Sequence, residues 1–130
     1  MQIDDPTIIG YSVDTFENYM SKVETLDGDL LLAYSFNENH IPKSNILVLK
    51  TDPYGENDDV YLFFEGDQYI WEIDTFTMQG VKSNFKKLFG HANPHDLVVA
   101  AFYYIRNDAF IRPEYWNEVL SIFTSGKSRP

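Results

Sequence analysis

His91 and His95 stand four residues apart, the spacing that puts two metal ligands on one helix face. Between them Asn93 and Pro94 read as the cap and first residue of a helix, which leaves His91 outside it, and no third ligand is identifiable. His95-Asp96 could orient a serine nucleophile. No Gly-x-Ser-x-Gly elbow exists, however, and the one Ser-Gly pair, Ser125-Gly126, stands in a basic tail. Glu72 and Asp74 lie two apart and could share acid and base roles on a glycoside, but on the wet face of a sheet they would stay hydrated and ordinary. The loop Asp52-Pro53-Tyr54-Gly55-Glu56-Asn57-Asp58-Asp59 is rich in oxygen ligands without the alternate spacing of a calcium-binding loop, so it reads as a solvated connection or a flexible acidic contact surface. The absence of cysteine excludes disulfides, thiolate metal sites and thiol nucleophiles. No glycine-rich phosphate loop occurs. This reading expects no metal, no cofactor and no catalysis.

Charge carries more information than any motif. Residues 1–81 hold 16 Asp or Glu and 3 Lys, whereas residues 82–130 hold 4 Asp or Glu and 7 Lys or Arg, for a net charge of −10. Between Thr51 and Val81 eight carboxylates occur with no Lys or Arg: Asp52, Glu56, Asp58, Asp59, Glu65, Asp67, Glu72 and Asp74. Such a surface attracts cationic proteins and repels nucleic acid and anionic lipid. Lys82, Lys86 and Lys87 form too small a basic stripe to reverse that.

These residues need elements to hold them. One domain over 1–130 is expected, with a frayed tail from about 125. The 44% apolar and 16% aromatic content suffices for a core and argues against disorder. Asp14 to Leu26 has the cap and spacing of a helix, closed by Gly28. Four strands are expected at Leu30–Phe36, Ile46–Lys50, Val60–Phe64 and Tyr69–Phe76, the last two joined by a hairpin turn centred on Gly66-Asp67. Alternation then turns Tyr69, Trp71 and Ile73 one way, and Ile70, Glu72 and Asp74 the other, giving a sheet with one wet, acidic face. Three helices follow. Met78, Val81, Phe85, Leu88 and Phe89 form a stripe ending at Gly90; Leu97–Ile105 is apolar nearly all round; and Pro113 opens a last helix bearing Trp116 and Phe123. The fold class is therefore α+β: an N-terminal helix, a central antiparallel sheet of about four strands, and three C-terminal helices packed on one face. The N-terminal residues lack the features of a signal peptide, and no apolar stretch reaches the ~20 residues of a membrane span, so a soluble, cytoplasmic protein is expected.

The aromatic hairpin Val60–Phe64 and Tyr69–Ile73, with the closing helix Glu114–Phe123, resembles small acidic bacterial immunity proteins of toxin delivery systems, including contact-dependent growth inhibition. The resemblance covers about the last half of the chain. It implies a cytoplasmic inhibitor that covers the active site of a basic toxin, often a nuclease. On charge alone the contact surface would be Asp52, Glu56, Asp58, Asp59, Glu65, Asp67, Glu72 and Asp74 around the aromatic anchors Tyr54, Tyr61 and Tyr69. The competing class is a small enzyme or ligand-binding module, which would show an aromatic pocket holding His40, His91 or His95 near a carboxylate.

Overall fold

A computed structural model describes residues 5–55 and 60–127. The elements run β1 (Ile8–Thr15), α1 (Phe16–Lys22) with a 3₁₀ turn at Val23–Thr25, β2 (Leu31–Tyr34), β3 (Asn45–Thr51), β4 (Tyr61–Phe64), β5 (Asp67–Asp74), α2 (Thr75–Phe89), α3 (Pro94–Asn107), a 3₁₀ turn at Pro113–Tyr115, and α4 (Trp116–Lys127). The α+β class holds. The sheet has five antiparallel strands among the described residues, in the order β1-β3-β2-β5-β4. The additional strand is β1, which precedes the N-terminal helix. It reads poorly as a strand on its own and exists through its pairing with β3, from Ile8 opposite Thr51 to Thr15 opposite Asn45. Thr15 rather than Asp14 caps α1, its hydroxyl accepting from the Asn18 amide, while Asp14 accepts from Thr15 N–H and the Asn18 side chain.

Local signals set the helix ends. Asn93 caps α3 by accepting from the Asp96 amide, Pro94 takes the first turn, and Gly90 closes α2 in the left-handed conformation. The hairpin turn is Glu65-Gly66, one residue earlier than the sequence suggests. Both residues have positive φ, 50° and 84°, the pattern of a type I′ turn whose twist suits the flanking strands. Asp74 ends β5 and caps α2, so Thr75 and Phe76 belong to the helix rather than the strand. Its Oδ1 accepts from Thr77 N–H at 2.9 Å and from the Thr77 hydroxyl at 2.6 Å. Asp74→Ala should therefore cost about 1–2 kcal/mol and Asp74→Asn only a few tenths, read as urea unfolding midpoints. Equal losses for the two would mean that charge rather than capping matters there.

Helix α3 is central, packing against α1, α2 and α4, and Leu97 to Phe102 are all buried. Together with Phe16, Tyr19, Met20, Ile46, Val48, Met78 and Phe85 it forms the main core on one face of the sheet. The other face is not a wet, acidic one. Ala33, Leu47, Leu49, Leu62, Phe64, Tyr69 and Trp71 bury themselves there in a second cluster. The sheet curls to allow this, bringing Tyr11 of edge strand β1 against Phe64 of the opposite edge strand β4, ring centroids 5.4 Å apart. Alternation along β5 also breaks. Leu32 faces Ile73 and Tyr34 faces Ile70, so β5 carries one residue more than β2. That bulge turns Ile73 to the helix side with Ile70, away from Tyr69 and Trp71.

Residues 125–127 are not a frayed tail; residues 128–130 of the expected tail lie outside the described residues. Helix α4 continues through Lys127, and the Gly126 carbonyl accepts from the side chains of Asn37 (3.3 Å) and Asn39 (3.2 Å). A Cβ at Gly126 would sit 2.4 Å from Cγ1 of buried Ile41, so only glycine allows this approach.

Candidate functional site

The topology sorts the acidic residues by sheet end. Leu31 at the start of β2 pairs with both Leu49 and Asp74, so β3 and β5 finish where β2 begins. The turn carrying Asp27 and Asp29 therefore lies at that end, with Thr75 N–H donating to the Leu30 carbonyl and Phe76 N–H to the Gly28 carbonyl. Asp52 is there too, its amide donating to the Thr7 carbonyl beside β1. From the helix side Asp108, the residue closing α3, shares an open cleft of about 370 Å³ with Leu31, Glu72, Asp74, Thr77 and Tyr104. Burial and then Asp108 push the Tyr104 phenol above its ordinary range. The ion pairs among the described residues involve none of Asp27, Asp29, Asp52, Glu72, Asp74 and Asp108.

Several of these carboxylates have a local structural duty. Asp27 accepts from Asp29 N–H, Asp52 from Tyr54 N–H and Asp74 from Thr77. Capping fixes where these carboxylates stand.

Two aromatic rings stand beside this acidic end. Phe76, 71% exposed, packs its Cβ against Gly28 between Asp27 and Asp29. One helical turn on, Phe110 lays its ring over Gly80 and meets Tyr104 at 5.7 Å, remaining 44% exposed.

The charge-based list divides accordingly. Asp52, Tyr54, Glu72 and Asp74 lie at the acidic end. Glu65 and Asp67 lie at the far end of β5, roughly 20 Å away at about 3.3 Å per residue. There Asp67 pairs with Lys43 at 3.0 Å, an exposed bridge worth under about 1 kcal/mol. Tyr61 is half exposed on β4. Tyr69 is not a surface anchor: it is buried in the second cluster, which raises its phenol pKa, because the pleat sends it to the same side as Trp71. Glu56, Asp58 and Asp59 lie outside the described residues. Sequence reasoning missed Asp27, Asp29 and Asp108, as well as Phe76 and Phe110. The Asp27-Gly28-Asp29 turn was a readable signal, whereas the approach of Asp108 depends on long-range packing.

The histidines do not assemble a catalytic centre among the described residues. His91 and His95 both face Asp96, at 3.8 and 3.5 Å, at the surface where α3 begins. No described group of three or more His, Asp or Glu could hold a metal ion. His40 does line a cleft, with Phe36, Phe102, Ile105 and Arg106, but no carboxylate lines it. No helix among the described residues is long and apolar enough to cross a membrane.

No curated protein and no solved structure matches the chain. A family model described as a domain of unknown function, DUF7716, matches residues 13–113, from β1 to the turn before α4, and the chain belongs to that family.

Proposed function

We propose that the chain is a non-catalytic binding protein of the cytoplasm that neutralises a cationic protein, in the manner of an immunity protein against a basic toxin. One observation carries the reading. Asp27, Asp29, Asp52, Glu72, Asp74 and Asp108 come from distant parts of the chain to one end of the sheet, outside the ion pairs of the described residues and beside exposed Phe76 and Phe110. Such a field speeds the encounter with a basic protein by about 10–10³-fold, and exposed rings supply the anchors that slow its departure. A nuclease is a suitable partner, because a site that holds phosphates is itself positive.

The test uses a variant that keeps the caps and loses the charge: Asp27→Asn, Asp52→Asn, Glu72→Gln and Asp74→Asn together. Wild-type protein should retain a strongly basic partner from cells that make it. Association with the purified partner should slow at least about tenfold in the variant, with a flatter dependence on salt. Phe76→Ala should instead raise the dissociation rate. An association rate unchanged by the four substitutions would remove the electrostatic surface from the reading.

A further inference from the structure

We infer that the cleft between the β2–β3 connection and α3 binds a small anion carrying an apolar or aromatic body, such as an aryl phosphate or carboxylate. The cleft measures about 310 Å³, enough for one ring and its charged group, and is lined by Phe36, His40, Phe102, Ile105 and Arg106. In a chain of net charge −10 its polar lining is nonetheless two nitrogen bases. Arg106 makes no hydrogen bond or ion pair among the described residues. Its guanidinium lies 5.9 Å from the centroid of the Phe102 ring, which orients the group without occupying its N–H donors.

His40 is presented just as firmly. It adopts φ +60°, a conformation that histidine tolerates better than most side chains. The turn around it is closed by His40 N–H to the Asn37 carbonyl at 3.0 Å and by Asn37 Oδ1, which accepts from the Asn39 and Ile41 amides. Behind it, buried Ile41 packs against α4 at Gly126. A fork of guanidinium donors, an imidazole and two aromatic walls suit an anion with a flat body.

The surrounding charges sharpen the selectivity. Ile105 also borders the acidic cleft of Glu72, Asp74 and Asp108, which repels the same ligand and confines it to the basic side. Glu118 lines the cleft on the other flank of Arg106 without forming an ion pair with it, and Glu38 precedes His40 by two residues on the exposed turn.

Phenyl phosphate titrated into the full chain, followed by amide chemical shifts, tests the assignment. Expected is saturable millimolar binding, with shifts centred on Phe36, His40, Ile105 and Arg106. Benzyl alcohol and inorganic phosphate should each bind about tenfold more weakly, because each lacks one half of the recognised group. Arg106→Gln, at an exposed position, should weaken phenyl phosphate at least about fivefold while leaving the spectrum dispersed. His40→Asn, which keeps the left-handed backbone, should weaken it about two- to threefold. Non-saturating binding, equal affinity in Arg106→Gln, shifts centred elsewhere, or inorganic phosphate binding as well as the aryl ester would each overturn the inference.

Discussion

Phe85→Ala is expected to remove about 3–5 kcal/mol of folding stability, out of the roughly 5–15 kcal/mol of a typical domain. Phe85 is fully buried on α2 and stacks on Phe89 at 4.2 Å with the rings 9° apart. The His91 ring stands edge-on to it at 5.2 Å, and Trp116 from α4 approaches at 5.6 Å. Truncation therefore leaves a cavity and breaks three ring contacts, each worth about 0.5–1.5 kcal/mol beyond area burial. Because these rings join α2, the α2–α3 turn and α4, the loss should appear as an earlier urea midpoint with loosened Trp116 fluorescence. Phe85→Leu should recover more than half of the stability. A loss below about 1 kcal/mol for the alanine variant would mean that the ring cluster is not a structural centre.

Alkaline pH should unfold the protein steeply. Tyr19 is fully buried, its phenol 3.0 Å from the Thr75 hydroxyl, and Tyr34 is buried to 1% exposure. Burial pushes both phenols far above their ordinary value of 10.0, with Asp74 adding to the rise at Tyr19 and Glu72 at Tyr34. Below pH 10 both folded and unfolded chains keep these protons, and stability is untouched. Above pH 10 the unfolded chain releases protons that the folded chain retains, so stability falls by about 1.4 kcal/mol per pH unit for each phenol. At pH 11.5 the two together should cost about 4 kcal/mol on that slope. Urea titrations from pH 9 to 11.5 measure it, with Tyr34→Phe removing about 1.4 kcal/mol per pH unit from the slope. A flat profile up to pH 11.5 would show that the phenols ionise in place.

Where a structural decision is local, the chain states it openly. Asn93-Pro94 announces α3, Gly90 ends α2, and the α2 stripe through Met78, Val81 and Phe85 is buried as its spacing requires. Leu88, at the edge of that stripe, is 45% exposed. Asp74-Thr75-Phe76-Thr77 was also a readable cap, masked by β-branched and aromatic residues that favour a strand. Non-local decisions left no such mark. β1 is made by β3, some thirty residues away, and its Gly10 and Asp14 weaken any strand signal. The bulge that turns Ile73 inward comes from mismatched pairing with β2, which a strict period of two cannot anticipate. The acidic surplus was plain in composition, yet nearness in sequence misled. Glu65 in the hairpin turn and Glu72 near the end of β5 are seven residues apart with most of the strand between them, whereas Asp27 and Asp74, distant in sequence, are brought together by the Gly28–Phe76 hydrogen bond.

Apart from Glu72 on β5, the anionic end is assembled from turns and caps: the 27–29 turn, the Asp52 corner, the start of α2 and the close of α3. None of these positions lies in either apolar cluster. On the proposed binding reading, recognition draws on residues outside the two apolar clusters, with Asp74 serving as both helix cap and surface charge. On that same proposed reading, a lineage of such proteins can rewrite its partner choice loop by loop while inheriting an unaltered interior.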